Sequence, residues 1–352
     1  MKLSEELNQL FMSKFEQGLF SGNILVAKEG KPIYIGTFGL SNYHSGKKLS
    51  ENSLFELASV TKPMTAMGIM ILEEQGKLNY DDTIKKWIPS FPYETITLRH
   101  ALTHTSGLPD YMELFESHWD HHCIATNRDV LRLLTEHRPP LYFDSGEKYQ
   151  YSNTGYVCLA MIIEKVSDMS YAMFMLQHIF KPSAMQRTRV MNRRYHPEDV
   201  EDFAFGYIRD ENSALISLPD DLPGYEFVNY LDGIQGDGMI HSTIMDLLSL
   251  DRALKRGDLL CASSLELALS SIVTKDGQKT PCGFGWFIDQ SPKTGKKVFH
   301  SGGWPGYTTM LCRYIETDYT IIILNNVECH TEDNLHESVS DWLQQIETYI
   351  FH

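Results

Sequence analysis

Positive charge is scarce in this chain. Its 352 residues hold 31 lysines and arginines against 46 aspartates and glutamates, a formal net charge of -15. A surface of that sign repels phosphate backbones and anionic headgroups, so nucleic acid is excluded as a partner and docking on lipid is not expected. Long apolar runs are missing too. Stretches such as Ile321-Ile322-Ile323-Leu324 fall far short of the roughly 20 residues that cross a bilayer, so no membrane partner is expected. The six cysteines, Cys123, Cys158, Cys261, Cys282, Cys312 and Cys329, show no paired spacing, which predicts reduced thiols rather than a disulfide framework. The first 20 residues lack the unbroken apolar segment of a secretory signal. Instead Leu3, Leu7, Leu10, Phe11 and Phe15 recur on one helix face, with Glu5, Glu6 and Lys14 elsewhere. A cytoplasmic location is the expectation. No glycine-rich phosphate loop follows a strand, so no nucleotide cofactor is expected.

Metal chemistry has one weak candidate. His118 and His122 stand four apart in a segment that also holds Asp120, His121 and Cys123. That spacing puts two ligands on one helix face, but there is no His-Glu-x-x-His arrangement and no distant ligand pair. A solvated polar segment beside a cleft is the simpler reading, and no metal is expected.

What the chain does carry is Ser59-Val60-Thr61-Lys62. A serine and a lysine three apart share a helix face, so the amine reaches the hydroxyl and activates it as a nucleophile. The spacing alone decides nothing, because three Ser-x-x-Lys matches occur among 28 serines and 19 lysines. Ser45-Gly46-Lys47-Lys48 and Ser145-Gly146-Glu147-Lys148 each place a glycine beside the serine, which favours a turn. Only Ser59 opens an apolar-periodic segment, with Met64, Met67, Ile71 and Leu72 at helical spacing and Gly76 as a stop. Pro63 suits a first helical turn. Ser59 is therefore expected at a helix N-terminus, where the dipole favours developing negative charge.

The periodicities give an α+β chain. After the opening helix come strand-like runs at Asn23–Lys28 and Pro32–Phe38, with Glu29-Gly30-Lys31 as a hairpin turn. Residues 78 to 234 read mostly as helices and loops, clearest at Asp129–His137 and Gly155–Val166. Past Gly236-Asp237-Gly238, Ser242 or Thr243 caps a helix to about Arg256, with Gly257 as its stop. Strand-like runs follow at Gly283–Ile288, Lys297–Ser301, Tyr307–Ile315 and Tyr319–Asn325, with antiparallel pairing expected. A last helix carries Leu335, Val339, Trp342, Leu343, Ile346 and Ile350 on one face. Strands at both ends around a helical middle predict a discontinuous sheet domain, 1–77 plus 235–352, with a mostly helical insert, 78–234. The active site is expected in the cleft between them.

Two further groups fit such a site. Tyr151-Ser152-Asn153 precedes a helix in a loop. A phenol beside a cation acts as general base or acid, and an amide side chain holds a substrate amide through both its donor and its acceptor. His300-Ser301-Gly302-Gly303 ends a strand, where glycines let a substrate backbone lie close. The Gly303 and Ser59 N–H groups are candidates for an oxyanion hole. His44-Ser45-Gly46 and Lys293-Thr294-Gly295 offer similar triplets in lysine-rich polar turns, with no strand expected to run into either. Tyr111, after the Leu108-Pro109 turn, is a candidate cleft residue, and Trp304 and Tyr307 flank the third group.

The order Ser-x-x-Lys, Tyr-x-Asn and His-x-Gly, in these contexts, resembles the penicillin-recognising serine hydrolases. The likeness is greatest to the class C β-lactamase and D-alanyl-D-alanine carboxypeptidase group. Leu102-Thr103-His104-Thr105-Ser106-Gly107-Leu108-Pro109 is similar to that family's cleft-wall segment. Gly236-Asp237-Gly238-Met239-Ile240-His241-Ser242-Thr243 is similar to its glycine-rich approach to a helix. The resemblance implies the β-lactamase/transpeptidase-like fold, an antiparallel sheet flanked by helices. It also implies a metal-independent, cofactor-free hydrolase acting on a small molecule or short peptide. Ser59 would attack a carbonyl, Lys62 and Tyr151 would share its proton, and the Ser59 and Gly303 amides would hold the oxyanion. Asn153, Ser301, Gly302 and Tyr111 would bind substrate. His300 stands where class C β-lactamases carry lysine, which looks more like the carboxypeptidases, D-amino-acid peptidases and esterases of the family. A carboxylesterase and a non-catalytic binding member are the alternatives.

Overall fold

A computed structural model of the chain describes residues 2–210, 216–330 and 338–351. At its centre lies a six-stranded antiparallel sheet. Its order across the sheet is Phe287–Ser291, Gly295–Trp304, Tyr307–Tyr314, Tyr319–Asn325, Gly22–Lys28 and Lys31–Phe38. The two ends of the chain meet inside it, with Gly22 opposite Asn325 and Lys28 opposite Tyr319. Glu29 and Gly30 both take positive φ, 51° and 75°, which is the two-residue hairpin turn whose twist matches the strands it joins.

Both faces of the sheet are covered, which explains why its middle strands read as unbroken apolar runs rather than alternating ones. Ile24, Val26, Ile321 and Ile323 pack against helix Lys2–Glu16 and helix Val339–Ile350 through Leu7, Phe11, Trp342 and Ile346. Their neighbours Leu25, Ala27, Ile322 and Leu324 face the opposite way. They join the core built on helix Thr61–Glu74, helix Asn153–Ser167 and helix Ile244–Arg256. Helix Thr61–Glu74 is buried from Thr61 to Leu72, so it is a central helix rather than an amphipathic one. This full burial is why its apolar residues exceed the four read from helical spacing.

Several boundaries differ from the sequence reading. The opening helix stops at Glu16, because Phe20 turns in beside Phe11 and Trp342. Helix Asn127–His137 begins two residues early, capped by Thr126 with Asp129. Residues 283–286 are a turn rather than a strand, since the Gly283 N–H bonds back to the Trp286 carbonyl, and the strand begins at Phe287. Lys293-Thr294-Gly295 lies in the turn between the first two sheet strands, so a strand does run into it, contrary to expectation. The last helix carries Val339, Trp342, Leu343 and Ile346 as buried residues, while Leu335 lies outside the described residues. Of the six cysteines, Cys123, Cys158, Cys261, Cys282 and Cys312 are free thiols. No helix among the described residues is long and apolar enough to cross a membrane.

Candidate active site

Ser59 sits in a 3-10 turn, Ala58–Val60, that runs straight into helix Thr61–Glu74. The α-helix proper thus starts two residues later than the sequence suggests. The turn is pinned from three sides. The Leu57 N–H donates to the Ile240 carbonyl, the Val60 N–H donates to the Leu57 carbonyl, and Thr309 Oγ1 donates to that same carbonyl at 2.7 Å. Ala58 is held at φ 47°, a left-handed conformation that costs a non-glycine residue about 1 kcal/mol or more. The surrounding bonds offset that strain and fix the direction of the serine.

Lys62 lies one helical turn on and is fully buried. Its Nζ donates to Ser59 Oγ at 2.9 Å and to the main-chain oxygen of Asp237 at 2.9 Å. It also lies 5.0 Å from the ring centroid of Tyr151, close enough for a cation–π attraction. The Asp237 carboxylate accepts from the Tyr111 hydroxyl at 3.0 Å. Burial pushes the Asp237 carboxyl above the usual range, and the Lys62 charge pulls it back down. Tyr111 is pushed well up by burial and by that same carboxylate, so it stays a neutral donor.

Tyr151 is held as a filling between rings. His104 stacks on it at 4.3 Å with the planes 21° apart, and Phe287 and His300 stand 6.3 and 6.1 Å away. Asn153, expected in the loop, is the first residue of helix Asn153–Ser167, because Ser152 caps that helix by accepting from the Gly155 N–H. Its side chain donates to the Asp110 carboxylate at 3.2 Å.

His300 is buried on strand Gly295–Trp304 beside Phe287. Its Nδ1 lies 2.6 Å from the Ser301 carbonyl. A carbonyl only accepts, so Nδ1 carries the hydrogen and Nε2 keeps a lone pair. Burial, helped by the Lys62 charge, lowers its pKa to about 3, so the ring is neutral at physiological pH. The class C lysine is therefore replaced by an uncharged group.

A cavity of about 430 Å³ opens over the serine. Ser59, Tyr111, Asn153 and Gly303 line it. Lys62 lies beside Tyr151, and Tyr151 beside His300, but none of the three is among the lining residues, nor are Ser301 and Gly302. Gly302 has a different task. A Cβ there would come within 2.3 Å of the Leu57 carbonyl and 3.0 Å of the Ser59 N–H, so only glycine lets the strand close on the turn that carries Ser59. At Gly303 a Cβ would meet nothing within 4 Å, so its backbone faces open space.

Three contributors escaped the sequence reading as individual residues. His104 and Asp237 lie inside the two stretches singled out by resemblance, but their tasks depend on a ring stack and a main-chain carbonyl that no motif encodes. Glu56, which lines the cavity, carried no signal at all. The histidine segment does not form the helical pair considered for metal. Helix Tyr111–His118 ends at His118, whose ring stacks on His137 instead. No cluster of metal-ligating residues occurs among the described residues.

The whole chain has clear relatives. A family model described as Beta-lactamase matches residues 5–342. Penicillin-binding protein 4* of Bacillus subtilis (strain 168) is 47% identical over 328 residues, 93% of this chain and 73% of the relative. Among solved structures, a penicillin binding protein from Bacillus halodurans superposes with a TM-score of 0.80 at 25% identity, covering 97% of this chain and 98% of that one. The D-amino acid amidase of Ochrobactrum anthropi SV3 gives a TM-score of 0.80 at 22% identity, with 99% of each chain covered. These neighbours establish the β-lactamase/transpeptidase fold.

Proposed function

The chain belongs to the beta-lactamase family, and on that footing we propose that it hydrolyses an amide or ester bond through an acyl-enzyme at Ser59. The observation that carries this reading is the 2.9 Å contact between Lys62 Nζ and Ser59 Oγ at the floor of the cavity. Ser59 attacks the substrate carbonyl, and its proton passes to the Lys62–Tyr151 pair. The N–H groups of Ser59 and Gly303 receive the oxyanion. The pair then returns a proton to the leaving group, and water, activated by the same groups, releases the acid and regenerates the serine.

The cavity argues against an anionic substrate. It is lined by Glu56, Asp237 and Glu328, and no lysine or arginine is among its lining residues. His300 is neutral, so the third motif brings no fixed positive charge to a carboxylate. Efficient β-lactam hydrolysis is accordingly disfavoured, and small peptides, D-amino-acid derivatives or esters are the proposed substrates. An esterase reading has its own support. Met112, Phe227, Leu231, Ile234 and Trp304 form an apolar wall suited to an uncharged acyl chain. Turnover of short p-nitrophenyl esters compared with D-alanyl amides, in the intact chain and in Ser59→Ala, tests the proposal. Loss of both activities in the variant supports it, and an unchanged rate refutes it.

A further inference from the structure

Glu56 lies three residues before Ser59, on the short strand Phe55–Glu56 that pairs with Ile240–Ser242, and it lines the same cavity. Its side chain is 9% exposed. Among the described residues its one ion-pair partner within 4 Å is His241, whose Nε2 lies 3.9 Å from Oε2, beyond hydrogen-bond range. His241 is itself 1% exposed. Its Nδ1 approaches the Met239 carbonyl at 3.4 Å, so Nδ1 carries the hydrogen, and Nε2 is a buried acceptor with no partner. Burial lowers His241 to about 3, so it brings no second hydrogen. Among the described residues the Glu56 carboxyl thus has no hydrogen-bond donor, and it stands at the cavity wall in front of a buried ring that only accepts.

The neighbouring charges are committed elsewhere. Arg193 and Arg194 donate to Asp220, and Arg194 also to Asp232. The Tyr307 hydroxyl donates to the Ala204 carbonyl. The other two acids of the cavity wall have donors of their own. Asp237 takes the Tyr111 hydroxyl, and Glu328 takes the Gly306 N–H at 3.0 Å. Burial raises the Glu56 carboxyl to about 7, with the net pull of these arginines and aspartates superimposed on it. In its ionised form a buried acid in such a place calls for a charged donor, since a neutral one leaves the carboxylate uncompensated.

We propose that Glu56 is the recognition group for a primary ammonium on the substrate, so that the enzyme prefers amides or esters bearing a free amine to their N-acylated counterparts. The proposal rests on the Ser59 acyl-enzyme reading. An ammonium at the cavity wall supplies the charged donor that the Glu56 oxygens lack. N-Acylation removes the charge that pairs with Glu56.

The test compares D-alanine p-nitroanilide with its N-acetyl form in the full chain and in Glu56→Gln. The ratio of their kcat/KM values is expected to favour the free amine in the wild type and to fall by roughly tenfold or more in the variant. An unchanged ratio overturns the proposal. A second arm needs only the wild type, should Glu56→Gln not fold. n-Butylammonium is expected to inhibit p-nitrophenyl butyrate hydrolysis competitively at roughly tenfold or more lower concentration than n-butanol. Equal inhibition overturns the proposal. Ester turnover in either arm that needs Ser59 keeps the hydrolase reading standing when the ammonium preference fails. A wild type that turns over none of these compounds and forms no adduct at Ser59 removes both.

Discussion

The imidazole of His104 lies on the phenol of Tyr151, with ring centroids 4.3 Å apart and planes tilted by 21°. The same residue holds the chain on both sides of that tyrosine. Its carbonyl accepts from the Gln150 N–H at 2.9 Å, and its Nδ1 accepts from the Ser152 N–H at 3.0 Å. It does so from a left-handed backbone, φ 56°. Burial and the Lys62 charge keep the ring well below its usual pKa, which preserves the lone pair that Nδ1 needs. His104 is thus a positioning residue, acting through Tyr151.

That arrangement makes His104→Ala costly in kcat more than in KM, by roughly tenfold or more. His104→Asn should retain more activity, because asparagine tolerates the left-handed backbone and its Oδ1 can take the Ser152 N–H. Steady-state kinetics on a p-nitrophenyl ester, with folding checked by circular dichroism, separates the two variants. Equal loss in both, or a change confined to KM, contradicts the positioning role.

Lys62→Ala and Tyr151→Phe should each lower kcat/KM by ~10²-fold or more. Because the two groups are read as one proton relay, the double variant should cost little beyond the worse single one. Multiplicative losses in a double-mutant cycle would show that they act separately.

The two glycines of the third motif should behave oppositely. Gly302→Ala drives a methyl to within 2.3 Å of the Leu57 carbonyl and 2.4 Å of Thr309 Oγ1. It is expected to cost about 1–3 kcal/mol of stability and to disturb Ser59. Gly303→Ala meets nothing within 4 Å and should leave stability within about 0.5 kcal/mol. Urea unfolding of the pair decides this, and equal destabilisation contradicts the packing account.

His300 also predicts a pH dependence of stability. In the folded chain it protonates only near 3, against an ordinary histidine value near 6.5 when unfolded. Between those values the unfolded state binds the extra proton, so this contribution is present above about pH 6.5 and is lost as pH falls toward 3. The slope is about 1.4 kcal/mol per pH unit. His300→Gln should flatten the wild-type curve by about that amount between pH 6 and pH 4 in denaturant titrations. Parallel curves would mean that the ring is not held neutral.

Much of the architecture was legible from the residues. The helix start at Thr243 follows from a side chain that accepts its own helix amide, and the antiparallel strands follow from turns such as Glu29-Gly30, whereas the sequence reads Ser152 as loop rather than as a cap. The approach of Ser59 to Lys62 follows from a spacing of three in a segment that turns into helix. What the sequence withheld depends on distant partners. Asp237 holds Lys62 through a carbonyl 175 residues away, and a backbone oxygen has no identity in a sequence. His104 becomes meaningful only once its ring meets Tyr151, 47 positions on and brought close by folding. Gly302 looked like a substrate contact because glycine at a strand end fits either purpose. Only the Leu57 carbonyl beside it decides for close packing.

The most direct test of the central claim is intact-protein mass spectrometry after brief exposure to an activated ester and, separately, to a penicillin, with Ser59→Ala as the control. The account predicts a mass gain equal to the acyl group with the ester, mapped to Ser59 and absent from the variant, and slower labelling by the anionic penicillin. An adduct that survives in Ser59→Ala, or ester turnover at an undiminished rate in that variant, would contradict it.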